Sequence, residues 1–214
     1  TLTVQSADGT THQITITVNG TNDAAVIGGA DTGKVTEESQ LQTSGTLTIT
    51  DVDTGEAHFS DTDIKGTLGT LHLTDSGAWT YDLDNNNPTV QALGDKATAT
   101  DTITVTSADG TTHEIQVTVH GTNDTPVLQA QSQSVTEDGS LLSGQMVATD
   151  VDTGDTQSFS AANPPAGFTL NKDGSYSFDP TDQAYQHLAA GQTEKVTIPV
   201  TVTDSAGATS TQNL

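Results

Sequence analysis

The sequence predicts an all-β protein built of tandem seven-stranded antiparallel β-sandwiches with Greek-key connections. One observation is an internal repeat: residues 6–23 read SADGTTHQITITVNGTND and return as residues 107–124, with 14 of 18 positions identical. The other is the alternation of Val, Ile and Leu with Thr in about seven short runs per repeat, bounded by Asp-Gly turns. Period-two alternation is typical of strands that bury one face, so each repeat is expected to fold as one sandwich.

The largest apolar side chains alternate along one predicted strand in each repeat. Residues two apart share a face of a strand, and aromatic groups bury the most surface, so these side chains are expected to anchor the two cores. They are Trp79, Tyr81 and Leu83 in one repeat and Tyr176 and Phe178 in the next. Helix is expected only as two short turns, over residues 88–93 and 184–190.

The repeat length of about 100 residues divides the chain into three parts. Residues 1–23 are interpreted as the final hairpin of a preceding repeat, residues 24–124 as a complete repeat, and residues 125–214 as a second repeat that lacks most of its last strand. Two alternatives remain for the hairpin. Its strand over residues 13–18 completes the open edge of a neighbouring molecule, giving head-to-tail chains or a swapped dimer, or it packs on the sheet that follows.

Composition excludes several classes of function. Asp and Glu number 28 against 5 Lys and Arg, for a net charge of −23, which disfavours binding to nucleic acid or to an anionic membrane surface. No apolar run approaches the ~20 residues that span a bilayer, so membrane insertion is not expected. There is no Cys and no nucleophile, zinc or phosphate-loop motif, and duplicated carboxylates argue against an active site, so no enzyme is predicted. Acidity that only keeps the protein soluble is the simplest alternative reading.

The acidic residues concentrate at predicted strand ends. Because strand direction alternates in a sandwich, several of these ends meet where the two repeats join. The oxygen ligands predicted at this junction are Glu37, Glu38, Asp84, Asp101, Asn123, Asp124, Asp150, Asp152 and Asp155. The equivalent junction upstream uses Asn22, Asp23, Asp51 and Asp53, and Glu137 lies at the far pole of the second repeat with no downstream partner.

These residue types point to Ca²⁺ as the cofactor. Calcium takes 6–8 oxygen ligands, which no single short loop here supplies but two poles and a linker do. The D-x-D spacing lets two carboxylates reach one ion, and the following Gly permits the tight turn. Mg²⁺ prefers fewer carboxylates and keeps its waters. Asp-Gly and Asn-Asp are also ordinary turn formers, which explains any one motif but not their convergence at one end.

Several motifs resemble the VCBS repeat, a family that is itself similar to bacterial cadherin-like and immunoglobulin-like repeats. They are the G-x-W-x-Y-x-L-D string at 77–84, the NPTVQAL stretch at 87–93, the DTITV strand at 101–105, and the closing G-T-N-D. The resemblance implies a calcium-stiffened spacer in a giant RTX-type adhesin. Such proteins are exported by type I secretion, held at the bacterial outer membrane, and used in biofilm formation or host attachment.

The partners expected from this resemblance are the adjacent repeats of the same polypeptide. A carbohydrate- or protein-binding module is the alternative function, with a host-surface ligand either here or elsewhere in the full protein. A sugar site usually exposes aromatic side chains, so this alternative requires a solvent-facing Trp79 or Tyr185.

Overall fold

The computed structural model describes all 214 residues, which form a separate hairpin followed by two β-sandwiches. The hairpin consists of β1 (Leu2–Gln5) and β2 (Thr11–Ile14), which pair with each other and with no other strand. Its turn is closed by Asp8, whose Oδ1 accepts from the Thr10 amide at 3.0 Å. All residues of this segment up to Asp23 are exposed, so the hairpin does not pack on the sheet that follows.

The first sandwich has two sheets that enclose one core. Strands β3, β5, β8, β7 and β6 form one sheet in that order, and β4, β10 and β9 form the other. The bounds are β3 (Val26–Gly29), β4 (Thr32–Thr36), β5 (Gln42–Thr50), β6 (Thr62–Lys65), β7 (Gly69–Leu73), β8 (Ala78–Leu83), β9 (Thr98–Thr106) and β10 (Thr112–His120).

This sandwich has eight strands instead of the expected seven, because the first predicted strand divides. Gly29 has φ of 101° and a backbone too close to that of Thr46 for a Cβ, so the chain turns there and crosses between sheets. Strand β3 pairs with β5, whereas β4 pairs in parallel with β10, from Thr32 opposite Gln116 to Thr36 opposite His120. The remaining pairs are antiparallel, as predicted.

The predicted aromatic anchors are confirmed in the first core. Trp79, Tyr81 and Leu83 are buried on the inner face of β8, and the Trp79 indole nitrogen donates to the Ala30 carbonyl at 2.8 Å. Gly45 lies directly across from Trp79 and leaves room for its ring. Burial of a large apolar side chain contributes about 1.5–3 kcal/mol, so these residues are a principal source of stability.

The second sandwich repeats this plan with shorter strands and a smaller core. Its sheets are β11–β13, β12–β16–β15 and β14–β17–β18. Tyr176 is buried, as predicted, whereas Phe178, which was expected to be a second anchor, is only half-buried. The bounds are β11 (Val127–Leu128), β12 (Leu142–Gln145), β13 (Ala148–Thr149), β14 (Ser158–Ala161), β15 (Phe168–Leu170), β16 (Ser175–Phe178), β17 (Pro199–Thr203) and β18 (Thr209–Asn213).

One of the two expected helical turns is a helix. Helix α1 (Pro88–Gln91) begins after Asn87, whose side chain accepts from the Thr89 amide. Residues 184–190 form successive hydrogen-bonded turns instead, without a helix. Helix α1 also positions the junction, because the Ala92 carbonyl just after it accepts from the Thr153 amide of the second sandwich at 3.1 Å. No helix in the protein has the length and apolarity to cross a membrane.

Candidate metal centre at the junction of the two sandwiches

The linker between the sandwiches is held by one carboxylate from each side. Glu37, which follows β4 of the first sandwich, accepts from the Thr122 amide through Oε1 at 2.7 Å. Asp152, in the loop after β13 of the second sandwich, accepts from the Asp124 amide through Oδ2 at 2.8 Å. Both carboxylates are buried. The linker backbone therefore satisfies one oxygen of each carboxylate and directs the other oxygen into the junction.

Five carboxylates at this junction each keep a buried oxygen with no hydrogen-bond donor; we call them the junction cluster. Buried polar atoms almost always find a partner, and an unpartnered buried carboxylate oxygen is costly. Five such atoms in one place are not explained by folding alone. The atoms are Glu37 Oε2, Asp124 Oδ2, Asp150 Oδ2, Asp152 Oδ1 and Asp155 Oδ2.

The electrostatics of the junction cluster favour the arrival of positive charge. Burial raises the pKa of Glu37, Asp124 and Asp152, and the neighbouring carboxylates raise it further in each case. Asp155 behaves differently, because hydrogen bonds from Ser205 lower its pKa and keep it anionic. The junction therefore holds negative charge that either takes up protons or binds a cation.

Three carboxylates of the second sandwich form the tightest group. One oxygen from each of Asp150, Asp155 and Asp204 lies within 4.8 Å of the other two. Asp150 Oδ1 also accepts from the Asp152 amide at 3.1 Å, which closes the D-x-D turn. Asp204 Oδ2 accepts from the Asn123 side chain at 2.9 Å, so this group is tied to the linker as well.

A second set of carboxylates lies at the opposite pole of the first sandwich; we call it the N-terminal cluster. Its contacts copy those of the junction cluster: Asp53 Oδ2 accepts from the Asp23 amide at 2.7 Å, and Asp51 Oδ1 accepts from the Asp53 amide at 2.8 Å. Asp51 Oδ2 and Glu56 Oε2 are buried without a donor. The members are Asp23, Asp51, Asp53, Glu56 and Asp109.

The N-terminal cluster includes one carboxylate that is already saturated. Asp109 accepts from the Ala25 amide at 3.0 Å, from both Thr111 donors, and from the Ser107 hydroxyl. The Ser107 and Thr111 side chains are the main cause of its strongly lowered pKa. Burial raises the pKa of Glu56, and the charges of Asp53 and Asp51 raise it further.

Two predicted ligands lie at the rim of the junction. The Glu38 side chain is exposed, and its amide donates to Asn85 Oδ1 at 2.9 Å, yet its charge is close enough to raise the pKa of both Glu37 and Asp124. Asn123 contributes its side-chain nitrogen to Asp204, as described above, and so acts there as a donor. Upstream, Asn22 is exposed and donates to the Asp23 carbonyl at 3.2 Å.

Asp101 is the clearest correction to the predicted ligand set. Its Oδ1 accepts from the amide and hydroxyl of Thr67 at 2.9 and 2.8 Å, and its Oδ2 accepts from the Leu68 amide and the Tyr81 hydroxyl at 2.9 and 2.8 Å. These hydrogen bonds overcome the effect of burial and lower its pKa. Strand β9 begins at Thr98, so Asp101 lies within the strand and on its buried face. There it holds the loop of Thr67 and Leu68 by hydrogen bonds.

Asp84 and Glu137 also lie outside the two clusters. Asp84 is exposed and accepts from the Asn86 amide at 3.1 Å, so it forms an ordinary turn while its neighbour Asn85 makes the contact to Glu38. Glu137 is half-buried at the far pole of the second sandwich, beside an apolar cavity.

The sequence interpretation missed three carboxylates, namely Glu56, Asp109 and Asp204. Glu56 stands five residues after Asp51, as Asp155 stands five after Asp150, so the repeat itself carried the signal. Asp204 aligns with Ser107 of the first sandwich, where the residue is not a carboxylate. The sequence therefore contains no pattern that predicts the contact between Asp204 and the linker.

The donor set fits a hard divalent cation. The junction cluster supplies five buried unpaired carboxylate oxygens, the linker adds the buried unpaired hydroxyl oxygen of Thr122, and calcium takes 6–8 oxygens at about 2.3–2.6 Å. Glu37 and Asp152 are pre-oriented by linker amides, so the residues present suit Ca²⁺ better than a metal that needs nitrogen or sulfur.

Comparisons with known proteins agree with this architecture. The sequence profile of the bacterial cadherin-like domain matches residues 22–121 and again residues 123–214. No curated protein matches. The structure of PcdhgB3 EC1-4 aligns over 100% of this chain and 62% of its own at 15% identity, with a TM-score of 0.53, so this chain spans less than two thirds of that protein. Protocadherin gamma C5 EC1-3 aligns over 88% of this chain and 67% of its own at 15% identity, with a TM-score of 0.52.

At such identities these likenesses establish the fold, and the two tandem profile matches establish the family. The chain belongs to the bacterial cadherin-like domain family.

Proposed function

We propose that this chain is a calcium-stiffened extender of a secreted bacterial adhesin of the RTX type. In this role its sandwiches project a distal ligand-binding region for biofilm formation or attachment to a host surface. The observation that supports it is the junction cluster, in which both sandwiches and the linker between them contribute buried carboxylate oxygens without donors. The role is mechanical and requires no catalytic residue.

Stiffening follows from the charge balance at the junction. Two carboxylates about 5 Å apart repel each other by roughly 3 kcal/mol at an effective dielectric constant of about 20. Without a cation, the sandwiches relieve this repulsion by moving apart, and the short linker bends. A bound divalent ion would make the interaction attractive, and Glu37 on one side and Asp150 and Asp152 on the other would hold it.

In this proposed role the protein acts outside the cell. Calcium sites of extracellular modules typically have dissociation constants of about 10⁻⁴–10⁻³ M, which suits a ligand present at millimolar concentration outside cells. The absence of Cys leaves metal binding as a means of stabilisation that disulfides otherwise provide. Type I secretion and tethering at the bacterial outer membrane belong to the same proposal.

Small-angle X-ray scattering with Ca²⁺ and with excess EGTA tests the proposal. We expect a single extended shape with Ca²⁺ and a broader, on average shorter distance distribution with EGTA, together with a melting temperature lower by roughly 10 °C. Asp152→Asn should show the EGTA behaviour at calcium concentrations that still extend the parent protein. Asp61→Asn is the matched control, because Asp61 is exposed and has no side-chain hydrogen bond or salt bridge. A maximum dimension that is the same with and without calcium contradicts the proposal.

The carbohydrate-binding alternative has less support. It requires a solvent-facing Trp79 or Tyr185, and both are buried. None of the eight aromatic residues is exposed, so no platform for stacking a sugar ring is present on the surface. The extender is therefore the function that the geometry supports best.

A further inference from the structure

Strand β9 of the first sandwich has a free edge. Its sheet has the order β4–β10–β9, so β9 pairs with a neighbour on one side only. On the other side, no backbone hydrogen bond reaches residues 98–105, and the one bridge there joins Phe59 to Ser107, just beyond the end of the strand. Strand β6 is the nearest element on this side, and it pairs only with β7.

The second sandwich covers the equivalent edge with a strand. The counterpart of β9 is β17, which lies between β14 and β18. Strand β14 pairs with it from Ser158 opposite Thr203 to Ala161 opposite Val200. In the first sandwich the chain makes only the bridge at Phe59 and then enters β6 in the other sheet. The segment that could cover β9 is therefore present but folds elsewhere, so the free edge is a feature of the first sandwich itself.

The backbone groups of alternate β9 residues point toward this free edge. Where β9 turns into β10, the Ser107 amide donates to the Thr111 carbonyl at 2.9 Å, so Ser107 directs its backbone toward β10. In an antiparallel pair this direction alternates from one residue to the next. The residues that direct their amides and carbonyls away from β10 are Thr98, Thr100, Thr102 and Thr104.

This edge lacks the features that usually keep exposed edges from pairing. Such edges typically carry Lys, Pro or a bulge. Strand β9 reads TATDTITVT and pairs with β10 without interruption, from Thr98 opposite His120 to Thr106 opposite Thr112. Its one charged residue, Asp101, is buried, and every exposed side chain of the strand is Thr. In a chain with a net charge of −23, β9 is therefore an uncharged strip with unpaired backbone groups.

We propose that β9 pairs edge to edge with β9 of a second copy of this chain, antiparallel and about a two-fold axis. Thr100 of each copy lies opposite Thr102 of the other, and Thr98 lies opposite Thr104. Their free amides and carbonyls exchange hydrogen bonds, and the two three-stranded sheets become one continuous sheet. The two copies lie side by side and run in opposite directions.

A second copy suits this edge because the edge is complementary to itself. A two-fold contact places the same surface on both sides, and here each exposed pair across it is Thr with Thr, which is a favourable cross-strand pair. No charged side chain of β9 meets another, whereas most other surfaces of so acidic a chain repel a copy of themselves. Added salt screens the remaining repulsion and should strengthen the association.

Analytical ultracentrifugation over a range of protein concentrations tests this pairing. We expect the mass to rise from monomer to dimer, at lower protein concentration when salt is added. Thr100→Glu with Thr102→Glu should weaken association at least tenfold, because the new charges lie directly opposite each other. Thr46→Glu with Thr48→Glu is the matched control, since these exposed Thr residues lie on β5, which has a neighbour on both sides.

Amide hydrogen exchange of the parent protein, followed by NMR, gives a measurement that needs no variant. The amides of Thr98, Thr100, Thr102 and Thr104 should exchange fast in dilute protein and become protected as the concentration rises. The Ile103 amide, which faces β10, should be protected throughout. A monomeric mass at every concentration, an equal loss of association in the control variant, or association without protection of the Thr amides would overturn the proposal.

Discussion

The two carboxylate clusters contain the same turn but differ in what surrounds it. In each, the second Asp of a D-V-D-T-G loop accepts the amide of the Asp in the preceding N-D pair, at 2.7 Å for Asp53 and 2.8 Å for Asp152. The junction cluster includes Glu37 from the preceding sandwich, whereas in this chain the N-terminal cluster is preceded by the hairpin alone. We therefore propose that a calcium site in this chain takes carboxylates from two neighbouring sandwiches.

The sharpest test of this difference is a pair of equivalent substitutions. Asp152→Asn and Asp53→Asn each remove one charge while retaining an oxygen that accepts the linker amide, so neither should disturb the fold. Loss of one charge from the more complete site should lower its calcium affinity about 100-fold, or about 2.7 kcal/mol, and Asp53→Asn should affect only a weaker site.

Isothermal titration with Ca²⁺ measures both effects. The parent protein should show a tighter and a weaker class of sites, and Asp152→Asn should remove the tighter class. Equal effects of the two substitutions would mean that Glu37 adds nothing to the junction.

Asp101 gives a contrasting prediction, because it is a buried carboxylate whose four hydrogen bonds are made within one sandwich. Asp101→Asn places an amide donor against donors from Thr67, Leu68 or Tyr81 and should lower the free energy of unfolding by about 2 kcal/mol. Calcium affinity should not change. Urea denaturation followed through Trp79, the one Trp of the chain, measures the loss. A variant that loses calcium binding but not stability would return Asp101 to the ligand set.

The same contrast predicts an unusual pH dependence without calcium. Glu37, Asp124 and Asp152 have raised pKa values in the folded state. At a pH just above the ordinary pKa values, the folded protein therefore binds more protons than the unfolded chain does. Stability in EGTA should therefore fall as pH rises through these values toward neutrality. Asp101 has a lowered pKa, and its contribution is present above the ordinary value of 3.8 and is lost below it.

Together these groups predict a stability maximum in mild acid when EGTA is present. Saturating Ca²⁺ should abolish the fall toward neutral pH, because the ion replaces the protons. Thermal unfolding by circular dichroism between pH 4 and 8 checks this, and a calcium-free protein that is most stable at neutral pH would contradict it.

Much of the carboxylate arrangement could be predicted, because the two repeats have Asp at equivalent positions. Asp150 and Asp152 match Asp51 and Asp53, and alternating strand direction predicts that they lie at the pole facing Glu37. In the structure the charge of Asp152 contributes to the raised pKa of Glu37. The prediction was wrong where it depended on the length of a strand. Asp101 reads as a residue at a strand end, but β9 starts three residues earlier and its inward phase takes Asp101 into a hydrogen-bonded core.

Other features depend on contacts that a sequence pattern does not encode. Asp204 comes directly after β17, and its contact with Asn123 depends on that strand ending beside the linker. The division of the first strand at Gly29 follows from a left-handed backbone conformation, and the sequence shows only two adjacent glycines there.

A crystal structure grown in millimolar Ca²⁺ tests the central claim most directly. We predict anomalous scattering from an ion at the junction, with Glu37, Asp124, Asp150 and Asp152 oxygens at about 2.3–2.6 Å. A well-ordered structure in which these four side chains turn away from one another into solvent, with no ion between them, would contradict the account.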